Sequence, residues 1–120
     1  MCKRHKEPYS GLFNLVGGKI EENETGLEAA YRELQEETGI ASSQLACGLR
    51  HLMDFSYFIA GERVEVYVGK LVADALVFGD EKELLWLDVS EDFFDMSRFA
   101  GEGNIGHIFE IIKFSCPDLM

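Results

Sequence analysis

Three glutamates, Glu33, Glu36 and Glu37, crowd into the stretch ETGLEAAYRELQEETGI. On a helix they share one face, spanning about 100°. Like charges three or four residues apart repel, at roughly 0.2–0.5 kcal/mol per pair. Negative charge in a last turn also faces the negative end of the helix dipole. A shared cation relieves both penalties, and oxygen-only ligands suit a hard ion, Mg²⁺ or Mn²⁺. Ala29 falls on the same face one turn earlier, where its small side chain leaves room for a group to approach. A solvated acidic face is the commoner meaning of a bare E-x-x-E-E run, so the neighbouring residues must decide.

The element carrying these residues is well marked. Thr25 and Glu28 form a T-x-x-E capping box, and Gly39 stands where a C-terminal glycine belongs. Leu27, Ala30, Tyr31 and Leu34 fall at i, i+3, i+4 and i+7 and predict the core-facing stripe. Upstream, GLFNLVGG predicts a short apolar strand that ends in a Gly-Gly turn. LACGLRHLMDFSYFIA and RVEVYVGKLVA predict two strands joined at AGE, around Gly61. There Val64, Val66 and Val68 alternate with Arg63, Glu65 and Tyr67. A polar loop and a strand from Leu84 to Val89 follow, and NIGHIFEIIKF predicts a last helix with Asn104 as N-cap. Short strands mixed with two helices predict an α/β or α+β domain, a mixed sheet with helices packed against it.

The 120 residues fit one domain, 1–120, with one core. A formal net charge of −11 argues against a nucleic-acid polymer or an anionic membrane surface as the partner. A small anionic substrate remains compatible if divalent cations bridge the two. Cys2, Cys47 and Cys116 are odd in number and far apart, which predicts reduced thiols and a cytoplasmic location. The charged start MCKRHKEPYS is no secretory signal, and no apolar run approaches the ~20 residues of a membrane span.

Around the carboxylates, Gly18, Glu24, Arg32, Glu33, Glu36, Glu37 and Gly39, with apolar Leu34 and Ile40, occupy the spacing G-x5-E-x7-R-E-U-x-E-E-x-G-U, where U is apolar. Chance would produce the seven fixed residues on the order of once in 10⁸ windows or more, at roughly 6% each. The sequence therefore resembles the Nudix hydrolases. The resemblance implies a Nudix-type α/β/α sandwich with a mixed sheet, and metal-dependent hydrolysis of a nucleoside diphosphate linked to another group. It makes Glu33, Glu36 and Glu37 metal-binding carboxylates, with the Gly18 carbonyl as a further ligand of Mg²⁺ or Mn²⁺. Arg32 and Glu24 resemble the pair that steadies the loop and orients the helix carboxylates. Glu36 or Glu37 is then a candidate base, and Asp80, Glu81, Glu83 and Glu102 are candidates on later loops.

Flanking segments resemble the MutT-type, oxidised-purine branch: KRHKEPYSGLFNLVGGKIEENET at the start and LLWLDVSEDF later. That branch implies cleavage of an 8-oxo purine nucleoside triphosphate to monophosphate and pyrophosphate. The alternatives are ADP-ribose or dinucleoside polyphosphate hydrolysis, or a catalytically impaired nucleotide sensor. Asn14 resembles a base-reading amide, with Asn104 a second candidate. Phe99 and Tyr57 are candidate stacking faces, and Arg4 and Lys6 candidate phosphate contacts. His5, His51 and His107 show no metal spacing. The family places a full strand ahead of RHKEP, where only Met1, Cys2 and Lys3 stand here. The usual first strand is therefore expected to be lacking, leaving an open sheet edge that lowers stability or favours strand-mediated association. A monomer or a homodimer is expected.

Overall fold

The computed structural model describes residues 1–58, 60–78 and 83–120. In chain order come strands β1 (Cys2–Lys3) and β2 (Phe13–Asn14), helix α1 (Gly26–Thr38) and a 3₁₀ turn (Ser42–Gln44). Strands β3 (Arg50–Tyr57) and β4 (Glu62–Val68), helix α2 (Asn104–Ser115) and a second 3₁₀ turn (Pro117–Leu119) follow.

Strands β3 and β4 form the expected hairpin, antiparallel from Arg50↔Val68 to Tyr57↔Glu62. Gly61, at φ 66°, supplies the left-handed residue of its turn. The register slips between His51 and Met53. The extra residue breaks the strict in–out alternation, and Leu52 and Met53 both pack on the core formed by Val66, Ile108, Ile112 and Cys116.

Strands β1 and β2 pair antiparallel, Cys2 opposite Asn14. On its other side Cys2 bridges Leu84. The Lys3 N–H donates to the Glu83 carbonyl at 2.9 Å, and the Leu85 N–H to the Met1 carbonyl at 2.8 Å. Cys2 and Lys3 are thus themselves a short strand with neighbours on both sides. Of the expected strand Leu84–Val89 only this bridge at Leu84 forms, and Trp86 and Val89 lie exposed. Phe13 also bridges Phe99 in parallel. Pairing around β2 is therefore mixed, although both two-stranded sheets are antiparallel.

Helix α2 unites the core. Ile105, Ile108 and Ile112 are buried at helical spacing, each contributing about 1.5–3 kcal/mol of apolar burial. Its Phe109 stacks on Phe93 with centroids 4.1 Å apart and planes 11° from parallel. Phe93, Phe99 and Ile105 form a second apolar cluster, and Leu15 and Phe109 pack against both. The N-cap is Gly103 at φ 87°, and Asn104 is the first helical residue rather than the cap.

Helix α1 begins and ends as its sequence demands. Thr25 Oγ1 accepts from the Glu28 N–H at 3.1 Å, and Glu28 Oε1 accepts from the Thr25 N–H at 3.0 Å. A cap of this type stabilises a helix by about 1 kcal/mol. Gly39 at φ 78° returns its N–H to the Gln35 carbonyl. The buried side differs from expectation, since Leu27 is exposed whereas Ala29 and Thr38 are buried. Ala29 is covered rather than open, so it does not itself provide free space beside the glutamates. Gly26 lies so near the Glu65 carboxylate of β4 that a side chain there would displace it. At the far end, the Phe78 N–H donates to the Thr38 carbonyl, and the Tyr31 hydroxyl accepts from the Leu49 N–H at 2.8 Å.

Candidate active site

The site is built from α1 and the loop that precedes it, and Arg32 joins the two. One edge of its guanidinium grips Glu24, with Nε to Oε2 at 3.1 Å and Nη2 to Oε1 at 2.7 Å. Nη2 also donates to the Lys19 carbonyl at 3.0 Å. Glu24 Oε1 accepts from the Glu21 N–H at 2.7 Å, closing the loop upon itself. A planar fork on a carboxylate fixes both distance and orientation. The Arg32 contact, then the Glu21 N–H, hold the Glu24 carboxyl below the usual glutamate range. Hydrogen bonds donated to Glu24 and then to Glu33 hold Arg32 more firmly protonated still.

The opposite edge of Arg32 faces the helix glutamates. Its Nη1 donates to Glu33 Oε1 at 2.8 Å and to Glu36 Oε2 at 3.3 Å, and lies 3.9 Å from Glu21 Oε1. Glu37 turns to the loop and accepts from the Gly17 N–H at 2.9 Å. The Glu33 side chain is only 16% exposed and that of Glu36 59%. Glu33 is therefore shielded while Glu36 faces solvent. The backbone of Gly18 packs so closely against the Glu33 carboxylate that a Cβ there would displace it.

Gly18 and the carboxylates of Glu33, Glu36 and Glu37 make an all-oxygen donor set that suits a hard divalent ion, and the close approach of Gly18 to Glu33 brings two of its members together. In this conformation the carboxylates do not converge on one point. Among the described residues, no group of three His, Cys, Asp or Glu side chains is arranged to hold a metal ion. Arg32 engages two of the glutamates, and the Gly17 N–H engages the third.

A second polar cluster gathers residues from three distant segments. Glu102 accepts from the Tyr9 hydroxyl, with both carboxylate oxygens at 2.6 Å, and from the Tyr57 hydroxyl at 2.7 Å. Tyr9 and Glu102 both adopt the left-handed backbone, at φ 71° and 52°. Burial, then the bond to Glu102, push the Tyr57 phenol up to about 12, while the Arg4 charge opposes the rise. Tyr9 was not legible as a partner for Glu102. The only local signals are the turn formers around each, in EPYSG and AGEGN.

The other candidates are scattered. Asn14 lies in β2, and its Oδ1 accepts from the Leu15 N–H at 2.9 Å. Arg4 donates from Nε to the Pro8 carbonyl at 2.8 Å and folds the turn between β1 and β2. Lys6 is exposed. Phe99 is the most buried large side chain, 1% exposed, and packs on Phe93 and Phe13, so it has no open face for a base to stack on. The Tyr57 hydroxyl is committed to Glu102, and Asn104 opens α2. Glu83 is exposed, and its backbone carbonyl serves β1. Asp80 and Glu81 lie outside the described residues. His51 pairs with Asp54 at 2.7 Å, His107 meets the Phe94 ring edge-on, and His5 is exposed.

The NUDIX domain profile matches residues 1–96. The ADP-ribose pyrophosphatase of Methanocaldococcus jannaschii is 48% identical over 40 residues, which cover 33% of this chain and 24% of that protein. The match thus spans about a quarter of the relative's length. No solved structure matches the chain significantly.

Proposed function

Because the chain belongs to the NUDIX domain family, we propose that it hydrolyses a nucleoside diphosphate linked to a further group, with Mg²⁺ or Mn²⁺ as cofactor. The observation that carries this reading is the Arg32 clamp, which draws the Gly17–Glu24 loop and the α1 glutamates into one surface. A divalent ion supplies charge neutralisation on the diphosphate oxygens and a more acidic water. In this reading Glu33, Glu36, Glu37 and the Gly18 carbonyl hold the ion. Arg32 and Glu24 act one step back, fixing the loop and Glu33. Glu36, the more exposed glutamate, or Glu37 takes the proton from the attacking water. Glu102 already accepts from two phenols, which makes it the weaker candidate for that task.

The likeness to an ADP-ribose pyrophosphatase favours ADP-ribose as the first substrate to test. The second is an oxidised purine nucleoside triphosphate, cleaved to monophosphate and pyrophosphate. That reading rests on Asn14, whose Oδ1 is engaged by Leu15 and whose Nδ2 is left to donate to a base. The finer architecture we propose is the α/β/α sandwich, supported by the mixed pairing at Phe13. A reducing cytosol suits the three cysteines, none of which forms a disulfide among the described residues. The test is release of phosphate, pyrophosphate or AMP from ADP-ribose, 8-oxo-dGTP and diadenosine polyphosphates, with Mg²⁺ and with chelator. Hydrolysis of a panel member that chelator abolishes is the expected result, and failure on the whole panel at saturating metal would overturn the proposal.

A further inference from the structure

Arg32 uses the two edges of its guanidinium differently. The Nε–Nη2 edge is committed to Glu24 and the Lys19 carbonyl, all within 3.1 Å. Nη1 instead lies between carboxylates, 2.8 Å from Glu33, 3.3 Å from Glu36 and 3.9 Å from Glu21. Its looser hydrogen bond goes to Glu36, the more exposed of the two helix partners. One positive charge faces four carboxylates here. It relieves part of their repulsion, and a negative surplus remains.

We infer that Arg32 is a resident stand-in for the metal: Nη1 bridges Glu33 and Glu36 in the metal-free protein, and a divalent ion binds by displacing Nη1 while the Glu24 edge stays in place. This rests on the metal-dependent reading above. It accounts for the lack of convergence among the three glutamates, since two of them are turned to a cation the protein carries itself. It also reverses the sign expected of a residue that only positions ligands. A positioning arginine strengthens metal binding, whereas a stand-in competes with it. The exchange is favourable because a divalent ion concentrates twice the charge on the same oxygens.

The experiment is calorimetric titration of Mn²⁺, without nucleotide, into the parent and Arg32→Met, which keeps length and removes charge. Two partly exposed ion pairs are then no longer in competition, so Mn²⁺ should bind roughly 2- to 30-fold tighter in the variant. The metal-free variant should melt below the parent, and its melting temperature should rise more with Mn²⁺. Equal or weaker binding by Arg32→Met, while the parent binds, would overturn the stand-in and leave the metal-dependent reading intact. Absence of Mn²⁺ binding by either protein would overturn both. Should Arg32→Met fail to fold, arginine side-chain NMR of the parent decides. Mg²⁺ should shift the Nη1 resonance of Arg32 and speed its proton exchange while Nε–H stays protected; an unmoved Nη1 would overturn the inference.

Discussion

Two polar hubs fasten distant parts of this chain, and they are built oppositely. At Arg32 one cation is ringed by carboxylates from the loop and α1. At Glu102 one carboxylate is capped by two neutral phenols, from residues 93 and 45 positions away. The first hub keeps an excess of negative charge that a further cation would relieve. The second is satisfied by its hydroxyls and calls for nothing more. Crowded like charge beside a glycine turn is what the proposed ion-binding role calls for. A lone anion with neutral donors is the mark of a strut. Glu102 and Tyr9 sit in left-handed backbone at a cost of about 1–2 kcal/mol each, which the shared hydrogen bonds help to offset.

The sharpest way to break this contrast is to remove one carboxylate charge from each hub. Glu36→Gln keeps size and removes charge from the surface proposed to bind metal. Turnover should fall by about 10² or more, as on loss of a strong electrostatic contributor, with the fold retained. Glu102→Gln should change turnover by no more than a few-fold, roughly in line with an altered surface strut. Comparable losses in both variants, measured at saturating metal and with intact circular dichroism, would make Glu102 part of the chemistry and erase the distinction.

The next effect is thermodynamic. A ligand held at 100 times its dissociation constant stabilises by about 2.7 kcal/mol, several degrees in melting temperature for a chain of this size. Mg²⁺ or Mn²⁺ should raise the melting temperature of the parent by that order, and that of Glu33→Gln much less. Tyr57→Phe should respond like the parent, because its partner Glu102 belongs to the other hub. A shift lost in Tyr57→Phe and kept in Glu33→Gln would move the ion to the Glu102 hub.

The two hubs also differ in how far the sequence revealed them. Helix α1 is specified locally: its capping box, its terminal glycine and the spacing from Glu24 to Arg32 all lie within one short stretch, and the structure reproduces each. The β3–β4 hairpin was legible for the same reason, although the bulge beside Leu52 was not, since no single residue type announces it. Ala29 was misread because helical periodicity ranks apolar bulk, whereas close packing against the body of the fold rewards a small side chain. The strand expected over Leu84–Val89 depended on a partner elsewhere in the chain, and only one bridge formed. The Glu102 hub depends on three segments and two left-handed residues, information that no window along the sequence contains.

The strut itself can be weakened more gently. Tyr9→Phe removes one donor while Tyr57 still serves the carboxylate. The cost should be about 0.5–1.5 kcal/mol in urea denaturation, with no change in the metal-induced shift. If Tyr9→Phe abolished that shift, the turn between β1 and β2 would belong to the metal site.

The smallest effect separates the hubs by pH. Glu24 is held below its ordinary titration range by Arg32. A carboxyl with a lowered folded-state pKa contributes stability that is fully present above the unfolded value, about 4.3, and is lost as pH falls through the folded value. Tyr57 has the opposite sign: with its folded-state pKa pushed up to about 12, its contribution is fully present below the ordinary value near 10 and is lost as pH rises toward 12. Acid should therefore loosen the Arg32 hub, and strong alkali the tyrosine hub. Urea midpoints of the parent and Glu24→Gln should converge as pH is lowered from 5 toward 3, while those of the parent and Tyr57→Phe should converge as pH rises from about 10 toward 12. Midpoint differences that stayed constant for Glu24→Gln would mean that its carboxylate is not held by Arg32 in solution, and the loop would then need another anchor to bring Gly18 against Glu33.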